Sequence, residues 1–217
     1  PSDATLTLPG SKSEANRLLV AAALSGQQVT ITGASPSDDV RHLVAGLATL
    51  GFEATWLNEA NGIVRVGPRM ATPPTTGELF CGNAGTALRF LVSVAAITPG
   101  DWTITGDAHM QQRPIQPLVD AWQQLGVQIE ANAGCPPVRV RGGTCNGNSV
   151  TIDPTLSSQF VSSLLLVGAA LPNGLSLQFA GKLGSRSYAE LTCSLLARVG
   201  VHAMLTADAA SVRSLRC

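Results

Sequence analysis

Short runs of alternating polar and apolar residues precede longer segments rich in Ala, Leu and Val along this chain. The alternating runs are typical of half-buried strands, and the longer apolar segments are typical of helices. Gly26, Gly100 and Gly174 each precede a strand-like run and are spaced by 74 residues. A second series follows helical segments at spacings of 75 and 74 residues and consists of Gly51, Gly126 and Gly200. The pattern predicts one structural unit that occurs three times.

Each unit is predicted to have the order βαβαββ, with a glycine ending its second helix. First strands are predicted near 5–8, 78–80 and 149–152. The first helices are predicted near 12–24, 84–97 and 158–170, and the second helices near 39–50, 113–125 and 188–199. The repeats span about 4–70, 78–143 and 149–217, and the links between them lack the composition of flexible linkers. We therefore expect an α/β (α+β) fold in which residues 1–217 form a single domain.

Composition excludes several classes of function. Hydrophobic residues make up 45% and charged residues 13% of the 217 positions, as in globular domains with a large core. The net charge is zero and the pI about 7.3, so no overall field attracts nucleic acid or an anionic membrane. The longest nearly apolar stretch, at 160–171, is too short to cross a membrane. We expect no nucleic-acid partner, no membrane partner and no signal peptide.

The thiols and imidazoles show no metal-ligand spacing. The residues concerned are Cys81, Cys135, Cys145, Cys193, Cys217, His42, His109 and His202. An odd number of cysteines without a CxxC pair is typical of reduced thiols in a cytosolic protein. We therefore expect a cytoplasmic protein without a structural metal.

Cationic and hydroxyl side chains gather where the helices are predicted to begin. A helix N-terminus carries partial positive charge and unpaired N–H groups, so it favours anions and hydroxyls. Asp38 is compatible with an ordinary cap, and the neighbouring acids with an ion pair to Arg41. Lys12 and Arg113 are misplaced there unless an anion lies between them and the helix. This conflict indicates an anionic ligand.

Several of these residues also have purely structural explanations. Residues 82–85 are compatible with a tight turn, and residues 157–158 with plain helix caps. Tyr188 is expected to pack half-buried. Arg17 and Arg89, one turn inside their helices, are expected to be solvated. No serine-protease order, Walker loop or dinucleotide fingerprint is present.

Taken together, these segments resemble the 5-enolpyruvylshikimate-3-phosphate synthases, a family of enolpyruvyl transferases. The matching stretches are Leu8-Pro-Gly-Ser-Lys-Ser-x-x-Asn-Arg17, Asp38-Asp-Val-Arg41, Gly82-Asn-Ala-Gly-Thr-Ala-x-Arg89, Arg113-Pro-Ile115, Ser157-Ser-Gln-Phe160 and Ser185-x-x-Tyr188. They follow the family's order along the whole chain. Ser187 departs from the pattern, since the family usually has proline there. The resemblance implies one domain of the two-domain enolpyruvyl transferase fold, with its three units around a pseudo-threefold axis.

The resemblance also implies two substrates that share one site. The residues implied for shikimate 3-phosphate are Lys12, Ser13, Arg17, Ser157, Ser158, Gln159, Ser185 and Tyr188. Those implied for phosphoenolpyruvate are Lys12, Asn83, Gly85, Arg113 and Gln159. The reaction would transfer enolpyruvyl from phosphoenolpyruvate to the 5-hydroxyl of shikimate 3-phosphate, a step of the shikimate pathway, without metal or organic cofactor. Arginine forks match carboxylate and phosphate oxygens, which suits these residue types to such ligands.

Length is the main departure, because the family is roughly twice as long and has a second domain. The resemblance places the general acid and base mainly in that C-terminal domain, so no catalytic residue is expected in this segment. We expect the chain to be the shikimate 3-phosphate-binding half, inactive alone, with the second domain as its partner.

Two other interpretations stay open. The first is a UDP-N-acetylglucosamine enolpyruvyl transferase, which typically carries a cysteine in the loop before its Arg-Pro segment. Here that loop reads Gly106-Asp-Ala-His-Met-Gln-Gln112 and has no cysteine. The second is a non-catalytic module that binds a phosphorylated metabolite, since the binding half of an enzyme has the same residues.

Overall fold

A computed structural model describes residues 10–215 of the chain. The elements in chain order are α1 (Lys12–Leu24), β1 (Val29–Ile31), α2 (Asp38–Thr49), β2 (Phe52–Asn58), β3 (Ile63–Arg69), β4 (Thr76–Phe80), α3 (Gly85–Ile97), β5 (Gly100–Thr105), α4 (Gln116–Gln124), β6 (Gln128–Asn132), β7 (Cys135–Gly142), β8 (Ser149–Ile152), α5 (Ser158–Gly168), β9 (Leu175–Phe179), α6 (Arg186–Arg198), β10 (Ala203–Leu205) and β11 (Ala209–Val212). A 3-10 helix, Met110–Gln112, precedes α4. The strand predicted near 5–8 lies outside the described residues.

Three separate sheets contain these strands, in the orders β1–β3–β2, β4–β5–β7–β6 and β8–β9–β11–β10. The pairs β4–β5 and β8–β9 are parallel, because a helix crosses over between their strands; the other pairs are antiparallel. The order βαβαββ therefore runs from β4 to β7 and from β8 to β11. The same order without its first strand runs from α1 to β3. The mixed α/β class is confirmed, and the pseudo-threefold axis stays a prediction.

Helices α1, α3 and α5 pack against one another in the core. Eleven of the 13 residues of α3 and ten of the 11 residues of α5 are buried, which explains why their sequences are apolar on all sides. One set of polar groups there is paired: Trp122 donates from Nε1 to Ser93 Oγ, which donates to Ser163 Oγ, each at 3.0 Å. The outer helix α2 is amphipathic and buries only one face.

Side-chain contacts bring the starts of the helices together. Lys12 at the start of α1 contacts α2, and Arg17 one turn later contacts α5 and α6. Gln159 at the start of α5 in turn contacts the first turn of α3. We call this region, formed by the first turns of α1, α3, α5 and α6 together with Arg113, the helix-start site.

Candidate anion-binding site at the helix starts

The start of α1 presents a lysine that already has a counter-ion. Ser11 caps the helix by accepting a hydrogen bond from the Glu14 amide at 3.3 Å, so Lys12 is the first helical residue. Its Nζ lies 3.3 Å from Oδ2 of Asp39, on the first turn of α2. The Lys12 side chain is 56% exposed, so it is open to a ligand. The pair offsets the unfavourable placement of a cation at a positive helix end.

The neighbouring acid, Asp38, does not cap α2 as expected, because Ser37 holds the N-cap position. Asp38 instead forms the expected ion pair with Arg41, at 3.2 Å. That pair is exposed, so it contributes little to stability.

Arg17 is buried, and the expectation that it is solvated is wrong. Its guanidinium donates to the side chains of Thr192 and Ser162 and to the carbonyls of Ser13 and Tyr188, at 2.8 to 3.1 Å. Burial lowers the pKa of Arg17 to about 10, partly offset by Tyr188, so the group is charged at neutral pH. Arg17 therefore ties α1 to α5 and α6 beneath the site.

Arg89 is also buried, which again contradicts the expectation of a solvated side chain. It donates from Nη1 to the Gly85 carbonyl at 3.0 Å and from Nη2 to the Pro114 carbonyl at 3.3 Å. Its guanidinium lies 5.3 Å from the centre of the Phe160 ring. Burial, and secondly the charge of Arg113, lower the pKa of Arg89 to about 10. Arg89 thus holds the segment before α4 against the start of α3.

Arg113 precedes α4 and does not begin it, so the predicted helix start at 113 is wrong. Residues 110–112 form a 3-10 turn that the Arg113 amide closes on the Met110 carbonyl at 3.0 Å, and α4 begins at Gln116. The Arg113 side chain reaches the start of α3 instead. A Cβ built on Gly85 would lie 2.6 Å from Nη1 of Arg113 and 2.8 Å from Nη2. The guanidinium therefore lies directly against the first residue of α3, where partial positive charge already favours an anion.

The start of α5 supplies hydroxyl and amide groups. Ser157 caps the helix by accepting from the Gln159 amide at 3.2 Å, and Ser158 is the buried first residue. Gln159 donates from Nε2 to Thr86 Oγ1 at 2.9 Å, which joins α5 to α3. Its Oε1 is buried and has no partner among residues 10–215. Because a buried polar atom without a partner costs free energy, this oxygen is suited to accept from a ligand hydroxyl.

The start of α6 is held in a strained conformation. Ser185 occupies the N-cap with φ 47° and ψ 48°, in the left-handed region, and its side chain makes no capping hydrogen bond. Tyr188 is 44% exposed, and its ring lies 5.8 Å from the Arg17 guanidinium carbon. Non-glycine residues in this backbone region cluster at functional sites.

We predict that Ser185→Gly raises the free energy of unfolding by about 1 kcal/mol, because glycine adopts this backbone conformation without strain. The same change removes a hydroxyl from the site, so binding of a phosphorylated ligand should weaken by about 1 kcal/mol. Urea unfolding and ligand titration measure the two effects separately.

The matched control is Ala133→Gly. Ala133 has φ 49° in the turn between β6 and β7, outside the first turns of α1, α3, α5 and α6. It should give a similar gain in stability with no change in ligand binding. A gain in ligand affinity for Ser185→Gly would remove this serine from the site.

Contacts among the residues predicted from the sequence join Arg17 to Ser13 and Tyr188, and Arg113 to Gly85. Asn83 lies in the turn between β4 and α3, exposed, beside Gly82 with φ 50°. Three residues that contact predicted site residues were not themselves predicted: Asp39, Thr86 and Arg89. Each belongs to one of the matching motifs, so motif membership was the only signal that could have found them.

No group of metal-ligating side chains occurs within residues 10–215. The Cys81 thiol, just before the α3 turn, has its pKa raised to about 12 by burial, so it is uncharged at neutral pH and not a nucleophile. No helix in this part of the chain is long and apolar enough to cross a membrane.

Solved structures show which fold this is. An EPSP synthase from Acinetobacter baumannii superposes with a TM-score of 0.79 at 24% identity, covering 97% of this chain and 46% of that protein. The enolpyruvyl transferase NikO from Streptomyces tendae superposes with a TM-score of 0.62 at 16% identity, covering 98% of this chain and 48% of that one. The chain has the enolpyruvyl transferase fold.

Sequence comparison gives the family. A family model described as EPSP synthase (3-phosphoshikimate 1-carboxyvinyltransferase) matches residues 1–212, and the chain belongs to this family. A 3-phosphoshikimate 1-carboxyvinyltransferase of Pseudomonas syringae pv. tomato is 40% identical over 204 residues, 93% of this chain and 48% of the relative. One from Rhizobium etli is 40% identical over 194 residues, 88% of this chain and 46% of the relative. The chain spans about half the length of the curated relatives it matches.

Proposed function

We propose that this chain is the shikimate 3-phosphate-binding half of a 3-phosphoshikimate 1-carboxyvinyltransferase. The observation that carries the proposal is the Arg113 guanidinium lying against Gly85 at the start of α3. A cation at a positive helix end is unfavourable alone and favourable with an anion between them. Lys12 repeats this arrangement at the start of α1. Two anion positions on one face suit two phosphorylated substrates.

The first ligand, shikimate 3-phosphate, binds to Lys12 and to the starts of α5 and α6. The residues assigned to it are Lys12, Ser13, Arg17, Ser157, Ser158, Gln159, Ser185 and Tyr188. Serine hydroxyls and the α5 N-terminus suit its phosphate, and the unpartnered Gln159 Oε1 suits a ring hydroxyl. Arg17 supports this site indirectly, because it donates four hydrogen bonds to other groups of the protein.

The second ligand, phosphoenolpyruvate, binds at the start of α3. The residues assigned to it are Lys12, Asn83, Gly85, Arg113 and Gln159. Gly85 has no side chain, so an anion can approach both the helix N–H groups and the Arg113 guanidinium. Gln159, which donates a hydrogen bond to Thr86 of α3, then lies between the two ligands.

The proposal includes a domain partner. The relatives are about twice as long, and we assign the proton transfers of the reaction to groups in their other half. The two substrates would then be enclosed between that half and the helix-start site. A cytoplasmic location is part of the proposal, supported by the absence of disulfides among the described cysteines.

The test is ligand binding without turnover. Shikimate 3-phosphate at about a hundred times its dissociation constant should raise the free energy of unfolding of the purified chain by about 2.7 kcal/mol. Thermal unfolding with increasing ligand measures this, and shikimate, which lacks the phosphate, is the control. Incubation with both substrates should release no phosphate. A chain that shows no shift with millimolar shikimate 3-phosphate, or that turns over steadily, contradicts the proposal.

A further inference from the structure

Asp39 competes with any anion that approaches Lys12. Its Oδ2 lies 3.3 Å from the Lys12 Nζ, and its side chain is only 17% exposed, compared with 56% for the lysine. The carboxylate lies on the first turn of α2 and is more enclosed than the lysine at the start of α1. A second acceptor on the same ammonium would lie about 5 Å from the carboxylate oxygen, given ordinary hydrogen-bond lengths.

We propose that Asp39 is a resident counter-ion that competes with the ligand anion for Lys12 and thereby lowers anion affinity at the helix-start site. The proposal rests on the proposed function only in placing Lys12 at the anion position. It assigns to Asp39 a role in setting anion affinity, in addition to offsetting the charge of the lysine in the free protein.

The consequence depends on how many other contacts a ligand makes. Two anions near each other repel, so every anion that contacts Lys12 loses the same factor in affinity. A small anion such as inorganic phosphate makes few other contacts, so after this loss it binds only weakly. A larger ligand that also contacts Ser158 and Gln159 keeps enough affinity to bind. Asp39 therefore lowers the occupancy of the site by simple anions at a given concentration, while a ligand with further contacts still binds.

The adjacent acid provides a matched control. Asp38 lies one residue away in the same helical turn, carries the same charge and is 82% exposed. It pairs with Arg41 at 3.2 Å, whereas Lys12 pairs with Asp39. Asp38→Asn and Asp39→Asn change the net charge and the α2 N-terminus alike. Only Asp39→Asn removes the carboxylate that is paired with Lys12.

The experiment titrates inorganic phosphate into the wild-type chain and variants, with the backbone amide shifts of Lys12 and Ser13 as the NMR signal. Asp39→Asn should bind phosphate about five-fold tighter, as expected from removal of a like charge at this distance. Asp38→Asn should stay within about two-fold of the wild type, since exposed charges are screened. The gain should disappear when Asp39→Asn is combined with Lys12→Ala.

Three outcomes overturn the proposal: Asp39→Asn that binds phosphate no tighter than the wild type, an equal gain in Asp38→Asn, or a gain that survives Lys12→Ala. Should Asp39→Asn fold poorly, Asp39→Ser provides the same test, because serine is also favoured in the first turn of a helix. Shikimate 3-phosphate is titrated in parallel. Its failure to bind the wild-type chain would reject the proposed function, whereas the phosphate comparison decides the role of Asp39 independently.

Discussion

Replacing Arg17 with alanine should lower the free energy of unfolding by about 3–5 kcal/mol, the largest stability effect that we expect from one side chain here. Arg17 is 2% exposed and joins α1 to α5 and α6. The substitution removes the Arg17 donors from Ser162 and Thr192, which keep hydrogen bonds to each other and to the Tyr188 carbonyl. Hydrogen bonds to a charged group each contribute about 1.5–3 kcal/mol, so the loss of several accounts for the expected size of the effect.

Two further variants make this result specific. Arg17→Lys keeps the charge but cannot form the same fork of hydrogen bonds, so it should recover less than half of the loss. Arg139→Ala removes an exposed arginine that is paired with Glu130 at 3.6 Å, and it should change stability by less than about 0.5 kcal/mol. Urea unfolding measures all three. If Arg17→Ala unfolds at the wild-type urea concentration, these hydrogen bonds do not hold the helices together.

Replacing Gly85 with alanine should weaken phosphoenolpyruvate binding about 10- to 100-fold, the largest effect that we expect on a ligand, because a charge-assisted contact is lost. The new methyl group would overlap the Arg113 guanidinium, with contacts of 2.6–2.8 Å, so the arginine must leave the start of α3. Stability should change by no more than about 1 kcal/mol, since alanine is a better helix former than glycine. Calorimetry on the chain saturated with shikimate 3-phosphate measures the affinity.

A double-mutant cycle separates displacement of Arg113 from a direct steric block of the ligand. In an Arg113→Ala background the methyl group has no guanidinium to displace, so Gly85→Ala should then have little further effect. Gly147→Ala is the control, because its Cβ would meet only the side chain and Cα of Leu125, outside the helix-start site. An equal loss from Gly85→Ala in both backgrounds would mean that the methyl group blocks the ligand itself.

Local patterns along the chain were sufficient for the existence of the helices and for the motifs of the site, but not for every helix start. The bounds of α1 were predicted to the residue, and the start of α5 was predicted correctly at Ser158. Both helices begin after a serine whose hydroxyl accepts a backbone N–H, which is a signal within a few residues. The start of α4 was missed, because Arg113-Pro-Ile115 looks like a helix start while the 3-10 turn before it has no comparable local signal.

By itself, the sequence determined the mixed α/β class, the order of elements from α1 onwards and the candidate residues, because capping, glycine spacing and hydrophobic periodicity act between near neighbours. Only the tertiary structure decided that Arg17 is buried, since the Tyr188 carbonyl that it binds lies 171 residues away. It likewise decided that Asp39 faces Lys12 and that Gln159 binds Thr86, 27 and 73 residues apart. Such contacts form when packed helices bring distant side chains together. The hydrophobic periodicity of a single helix does not indicate which distant residue an arginine or lysine on its polar side will contact.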